Sequence, residues 1–79
     1  MSYGYSARLI EFNKAANQKS LGVKLGALCI LRNVPVTSVA TELKVSRQTV
    51  YNWFCGVHPP KESLEAQIEA YIEDKLAPQ

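Results

Sequence analysis

The chain has 79 residues, 47% of them hydrophobic, and its formal net charge of +2 divides into +5 over residues 1–60 and −3 over residues 61–79. This length allows one hydrophobic core, so we expect a single domain over residues 1–79, and the apolar content favours a packed globule over a disordered chain. The absence of a secretory signal and of a run of about 18 apolar residues, together with two widely separated cysteines, predicts a cytoplasmic protein with reduced thiols and no membrane contact.

Apolar residues recur at spacings of three and four and rarely alternate with polar ones, a pattern that predicts helices. We expect an all-α, compact bundle of four to five short helices near residues 6–17, 20–32, 36–44, 46–54 and 61–76. Ser6 and Ser46 are suited to cap the first and fourth helices, whereas Pro35 and Gly56 mark helix ends. Cys29 lies on the apolar stripe of the second helix and is predicted to be a core residue.

The third and fourth predicted helices are short and follow each other after a brief turn within residues 36–56. In such a helix-turn-helix, the first helix braces the second across the major groove of DNA. The small Ala40 lets the two helices approach each other. The corner between them is filled by apolar residues, namely Val39, Leu43, Val45, Val50 and Trp53.

The ordered set Val39-Ala40, Leu43, Val45-Ser46, Val50, Trp53 and Gly56 resembles the lambda-repressor and Cro family of helix-turn-helix regulators. The resemblance extends more weakly over residues 21–72 and leaves out the segment before Lys19. It implies a double-stranded DNA partner, a partly palindromic operator, a homodimer and a bacterial or phage-infected host cell. The family usually has glycine in the turn where this chain has Lys44, and a positive φ there would cost a non-glycine residue about 1 kcal/mol.

By this resemblance, the exposed residues of the recognition helix, 46–54, face base edges. They are Arg47, Gln48, Tyr51 and Asn52, and arginine pairs bidentately with guanine whereas glutamine or asparagine pairs with adenine. The alternative for Tyr51 is that its side chain packs on the protein surface. Trp53 is expected in the core. Phosphate contacts are expected from hydroxyls, cations and helix N-termini, here Thr37, Ser38, Lys44, Ser46, Thr49, His58 and Lys61.

The last predicted helix, 61–76, carries an apolar stripe of Leu64, Ile68, Tyr71, Ile72 and Leu76. If Leu64 and Ile68 close the core, then Tyr71, Ile72 and Leu76 remain available to pair with a second copy. The alternative is that the whole stripe closes the core of the monomer.

The chemistry of the sequence does not favour an enzyme. It has no nucleophile paired with a base, no glycine-rich phosphate loop and no metal-ligand spacing around His58, so we expect no cofactor, metal or small-molecule ligand. The sequence predicts a transcription regulator, with two alternatives left open. One is a helical protein-interaction subunit, antitoxin-like or an assembly factor, and the other is an excisionase-like architectural protein that bends DNA at direct repeats.

Overall fold

The computed structural model describes residues 5–76, and within this range the chain forms helices and no strand. The helices are α1 (Ala7–Ala15), α2 (Leu21–Arg32), α3 (Val36–Leu43), α4 (Arg47–Phe54) and α5 (Glu62–Tyr71). Helix α5 continues directly into a π-helical turn, Ile72–Leu76. The predicted all-α bundle is confirmed, and the first four helices begin and end within two residues of the predicted bounds.

The ends of the helices follow from local side-chain and backbone chemistry. The Ser6 hydroxyl accepts a hydrogen bond from the Leu9 N–H at 3.1 Å, which confirms it as the cap of α1. Helices α2 and α3 end at Asn33 (φ 58°) and Lys44 (φ 59°), both in the left-handed region. Gly56, with φ of 74°, redirects the chain after α4, where a Cβ atom would be strained.

One core joins side chains from α2, α3, α4, α5 and the residues next to them. Its largest fully buried members include Phe54, Leu25 and Ile68. Cys29 is fully buried, as predicted. Helix α2 contacts α1, α4 and α5, and therefore lies at the centre of the bundle, while α3 packs against both α4 and α5.

The burial of the apolar stripe within residues 61–76 contradicts part of the dimerisation prediction. Tyr71 is 7% exposed and Leu76 is 0% exposed, and both belong to the core of the chain. Their expected availability to a second copy is wrong, because α5 and the π-helical turn pack against α2 of the same chain. Ile72 is half-buried, and its part in dimerisation stays a prediction.

Candidate nucleic-acid interface

Helix α4 has one buried face and one polar face. Trp53 is 3% exposed, which confirms it as a core residue. The predicted base-reading residues lie outside the core: Arg47 and Gln48 are exposed, Tyr51 is 38% exposed and Asn52 is half-buried. The packing of α4 therefore leaves the polar residues of its first turn in solvent.

Ser46 holds the N-terminus of α4. Its hydroxyl oxygen accepts a hydrogen bond from the Thr49 N–H at 3.1 Å, and the Ser46 and Thr49 hydroxyls lie 2.9 Å apart. One of these two hydroxyls donates to the other, so the hydrogen of the remaining hydroxyl is left to donate elsewhere. Ser46 thus caps the helix, as predicted, and the pair still offers one donor to an acceptor such as a phosphate oxygen.

Gln48 and Asn52 form a pair on the exposed side of α4. The Gln48 Nε2 atom donates to Asn52 Oδ1 at 3.1 Å. This bond leaves the Gln48 carbonyl oxygen and a second amide hydrogen unused by Asn52. The pair therefore restricts the Gln48 side chain while keeping one donor and one acceptor for an outside partner.

The turn between α3 and α4 holds Lys44 in solvent. Its φ of 59° is positive, so the turn has the left-handed conformation at this position although the residue is not glycine. The following residue, Val45, donates its N–H to the Ala40 carbonyl at 3.0 Å, which closes the end of α3. Lys44 is therefore an exposed cation in the turn that leads into α4.

Thr37 and Ser38 lie in the first turn of α3, and both are exposed. They line a groove of about 670 Å³ that is also lined by Glu42, Tyr71 and Lys75. The groove brings the two hydroxyls to the same surface as Lys75, a cation absent from the sequence-based set. Lys75 is far from Thr37 and Ser38 in the sequence, so no sequence pattern indicated that the three residues share a surface.

A second cleft, of about 340 Å³, lies between α4 and the segment that enters α5. It is lined by Thr49 and Asn52 of α4 and by His58 and Lys61. Four predicted residues from two parts of the chain are therefore brought together at one flank of α4. Thr37 and Ser38 do not line this cleft.

Helix α2 approaches α4 closely at Gly22. A Cβ atom on this glycine would lie 2.8 Å from the Trp53 Cβ and 3.1 Å from the Trp53 carbonyl oxygen. The N-terminal end of α2 is therefore adjacent to α4. Lys19 and Lys24, close to Gly22 in the chain and exposed, are further cations that the sequence analysis did not assign to the interface.

Neither thiol is in an environment that makes it a good nucleophile. Burial raises the pKa of Cys29 to about 12, and desolvation also raises the pKa of the half-buried Cys55. Because the thiolate is the reactive form, neither environment activates its cysteine near neutral pH. Within residues 5–76, no three His, Cys, Asp or Glu side chains are grouped closely enough to hold a metal ion.

Comparison of the chain with protein-family models, with curated proteins and with solved structures gives no match. Over the described part of the chain, none of the helices combines the length and the apolar character needed to cross a membrane.

Proposed function

We propose that the protein is a sequence-specific, double-stranded-DNA-binding transcription regulator of the repressor or Cro kind. The observation that carries the proposal is the two-faced α4, with Trp53 in the core and Arg47 and Gln48 in solvent. The helix has eight residues. At 1.5 Å per residue it is about 12 Å long, which is close to the width of the major groove.

In this proposal, α4 is the recognition helix and the contacts divide by chemistry. Arg47 and Gln48 read base edges, with Tyr51 and Asn52 following one turn later. Phosphate contacts that fix the register come from the flanks of the helix, where Lys44 and Lys61 are exposed. A bound molecule acts in the cytoplasm by occluding or recruiting polymerase.

We further propose that two copies bind a partly palindromic operator. Two half-sites about one helical turn apart give a short domain the affinity and specificity that one copy lacks. With Tyr71 and Leu76 buried in the chain's own core, Ile72 is the remaining candidate contact from the C-terminal stripe.

The test is selection of bound sequences from a randomised duplex pool at about 150 mM salt, where non-specific binding is weakened. The parent is compared with Arg47→Ala/Gln48→Ala and with a control, Arg32→Ala/Gln67→Ala, which removes the same charge and amide from exposed positions on α2 and α5. We expect the parent and the control to enrich an inverted repeat with half-sites about 10 base pairs apart. The interface variant is expected to lose or change that preference.

A second candidate function is a helical protein-interaction subunit. It is favoured by exposed apolar side chains, since Leu31 is 73% exposed, Val57 61% and Phe12 50%. Absence of both enrichment and salt-dependent binding to bulk DNA in the experiment above would favour this function instead. Enrichment of direct repeats together with DNA bending would favour an architectural DNA-binding protein.

A further inference from the structure

Helix α1 lies outside the segment that resembles helix-turn-helix regulators, yet a side chain of α1 reaches the end of α4. Asn13 is 2% exposed. Its Nδ2 atom donates to the Phe54 carbonyl at 2.8 Å and to the Val23 carbonyl at 3.1 Å. Both hydrogens of one amide are therefore used to tie α1 to α4 and to α2.

The Phe54 carbonyl belongs to the last residue of α4. The final carbonyls of a helix have no partner within the helix, so each needs one from outside. The three preceding carbonyls accept from the chain that follows: Cys55 N–H to Tyr51 at 3.0 Å, Gly56 N–H to Trp53 at 3.2 Å, and Val57 N–H to Asn52 at 2.9 Å. Asn13 supplies the hydrogen bond to Phe54 from 41 residues away.

The surroundings hold the Asn13 amide tightly. A Cβ atom on Gly26 would lie 2.7 Å from Asn13 Nδ2 and 2.8 Å from Phe54 Cγ, so α2 approaches this contact at a residue without a side chain. Tyr5 packs its ring on Phe54 with ring centroids 6.3 Å apart, and its hydroxyl donates to the Val34 carbonyl just before α3. The N-terminal segment thus contacts the chain at both ends of the helix-turn-helix.

We propose that Asn13 is a positioning residue that fixes the placement of α4 on DNA and thereby controls discrimination between operator and bulk DNA. The proposal rests on the DNA binding proposed above. Asn13 holds the C-terminal end of α4, whereas Arg47 and Gln48 project from the other end of the same helix. A small tilt about the C-terminal end displaces those side chains, and bidentate hydrogen bonds to base edges depend on their geometry.

The test compares Asn13→Ala with a matched control, Gln18→Ala. The Gln18 amide donates to the carbonyls of Asn13 at 2.7 Å, Ala16 at 3.0 Å and Lys14 at 3.3 Å, so its hydrogen bonds stabilise the end of α1 without reaching α4. The affinities for the selected operator and for bulk DNA are measured at a temperature at which both variants are folded. Amide hydrogen exchange at Cys55, Gly56 and Val57 is measured in the absence of DNA.

We expect Asn13→Ala to lower the ratio of operator to bulk affinity by about tenfold, comparable with one impaired base contact, and to speed exchange at the end of α4. Gln18→Ala is expected to lower thermal stability but to leave that ratio and the exchange at the end of α4 unchanged. If Asn13→Ala does not fold, Asn13→Ser is used, because its hydroxyl retains one donor, and an intermediate loss is expected.

An unchanged affinity ratio in a folded Asn13 variant overturns the proposal and leaves Asn13 a purely structural residue. If the parent itself binds no DNA, the proposed function fails. Hydrogen exchange then still decides whether Asn13 fixes α4: faster exchange at the end of α4 in the Asn13 variant alone supports the clamp, and unchanged exchange contradicts it.

Discussion

Lys44 combines a strained backbone with a charge at the edge of the proposed interface. Its φ of 59° is costly for a residue with a Cβ atom. We therefore expect the Lys44→Gly variant to be more stable than the Lys44→Ala variant, with a free energy of unfolding about 1 kcal/mol higher, because only glycine relieves the strain. Urea denaturation of the two variants measures this difference, and equal stabilities would contradict the strain.

The two Lys44 variants also lose the same charge. If the ammonium group contacts a phosphate, both variants flatten the salt dependence of DNA binding by about one unit of slope, and they weaken all sequences alike. Binding to operator and to bulk DNA at several salt concentrations measures the slope. A slope identical to that of the parent in both variants removes Lys44 from the interface.

The Gln48–Asn52 pair predicts that the two residues act on one base pair. Because Gln48 donates to Asn52 Oδ1 and retains an acceptor and a second donor, it can still bind adenine bidentately while Asn52 orients it. We expect Gln48→Ala to abolish a preference of about 1–3 kcal/mol, and Asn52→Ala to weaken the preference at that same base pair. Affinities for operators changed one base pair at a time locate each effect. A change at a different base pair in Asn52→Ala would show that Asn52 reads its own base.

The burial of the Cys29 thiol leads us to expect a loss of folding stability at alkaline pH. Burial raises the pKa of this thiol to about 12 in the folded chain, above its usual value. The stabilising effect of keeping the thiol protonated is complete below the usual pKa and is lost as the pH rises from there toward 12. We expect the free energy of unfolding to fall between pH 9.5 and 11, with about 1 kcal/mol per pH unit attributable to this thiol.

The matched variant for this prediction is Cys29→Ala, which removes the titrating group from the core. Desolvation also raises the pKa values of Tyr5, Cys55 and Tyr71, so these groups add to the alkaline loss in both proteins. Because Cys29 contributes to raising the pKa values of Tyr5 and Tyr71, the Cys29 contribution measured against this variant includes that coupling. Denaturation at a series of pH values separates the Cys29 contribution as the difference in slope between the two proteins. Parallel curves would mean that folding does not raise the pKa of Cys29.

At the scale of the helix, α5 and its π-helical turn divide into a buried and a half-buried part. Leu76 is fully buried, so Leu76→Ala is expected to cost about 2–5 kcal/mol of folding free energy. Ile72 is half-buried, so Ile72→Glu is expected to leave the chain folded and to weaken self-association. Thermal unfolding and sedimentation measure the two effects. A small cost for Leu76→Ala would contradict its place in the core, and unchanged association in Ile72→Glu would remove Ile72 from the dimer interface.

The helices themselves were predictable because their ends depend on neighbouring residues. Ser6, Ser46 and Gly56 act within one turn of their own position, so the sequence pattern identifies them. The apolar period likewise placed Trp53 in the core, since it shares a face with Val50 on a short helix.

The contacts that depend on tertiary packing were not predictable in this way. Asn13 is polar and lies on α1 between exposed residues, and its burial depends on the close approach of Gly26 and Phe54. The apolar stripe on α5 likewise does not show how many of its side chains are covered by other helices of the same chain. Tyr71 and Leu76 are buried where α5 and the π-helical turn pack against α2, with α3 also against α5, and these contacts are not encoded in a local pattern.

At the scale of the whole molecule, charge is separated along the chain. Residues 1–60 carry +5, whereas residues 61–79 carry −3. Glu65, Glu69 and Glu73 are spaced at four residues and are all exposed. In the proposed DNA-binding function, acidic side chains on one part of the surface would disfavour contact of that part with DNA and so would suppress binding in wrong orientations.

This role predicts the effect of neutralising the three side chains on α5 and the π-helical turn with Glu65→Gln/Glu69→Gln/Glu73→Gln. Bulk DNA can be approached by any part of the surface, so its affinity is expected to rise strongly, whereas the operator contacts of α4 are unchanged and operator affinity rises less. The specificity ratio should therefore fall. A control, Ser63→Ala/Gln67→Ala, changes exposed polar residues of the same helix at constant charge and is expected to leave the ratio unaltered. Affinities measured at two salt concentrations decide the question: an equal rise for operator and bulk DNA would mean that the three glutamates add uniform repulsion without directing orientation.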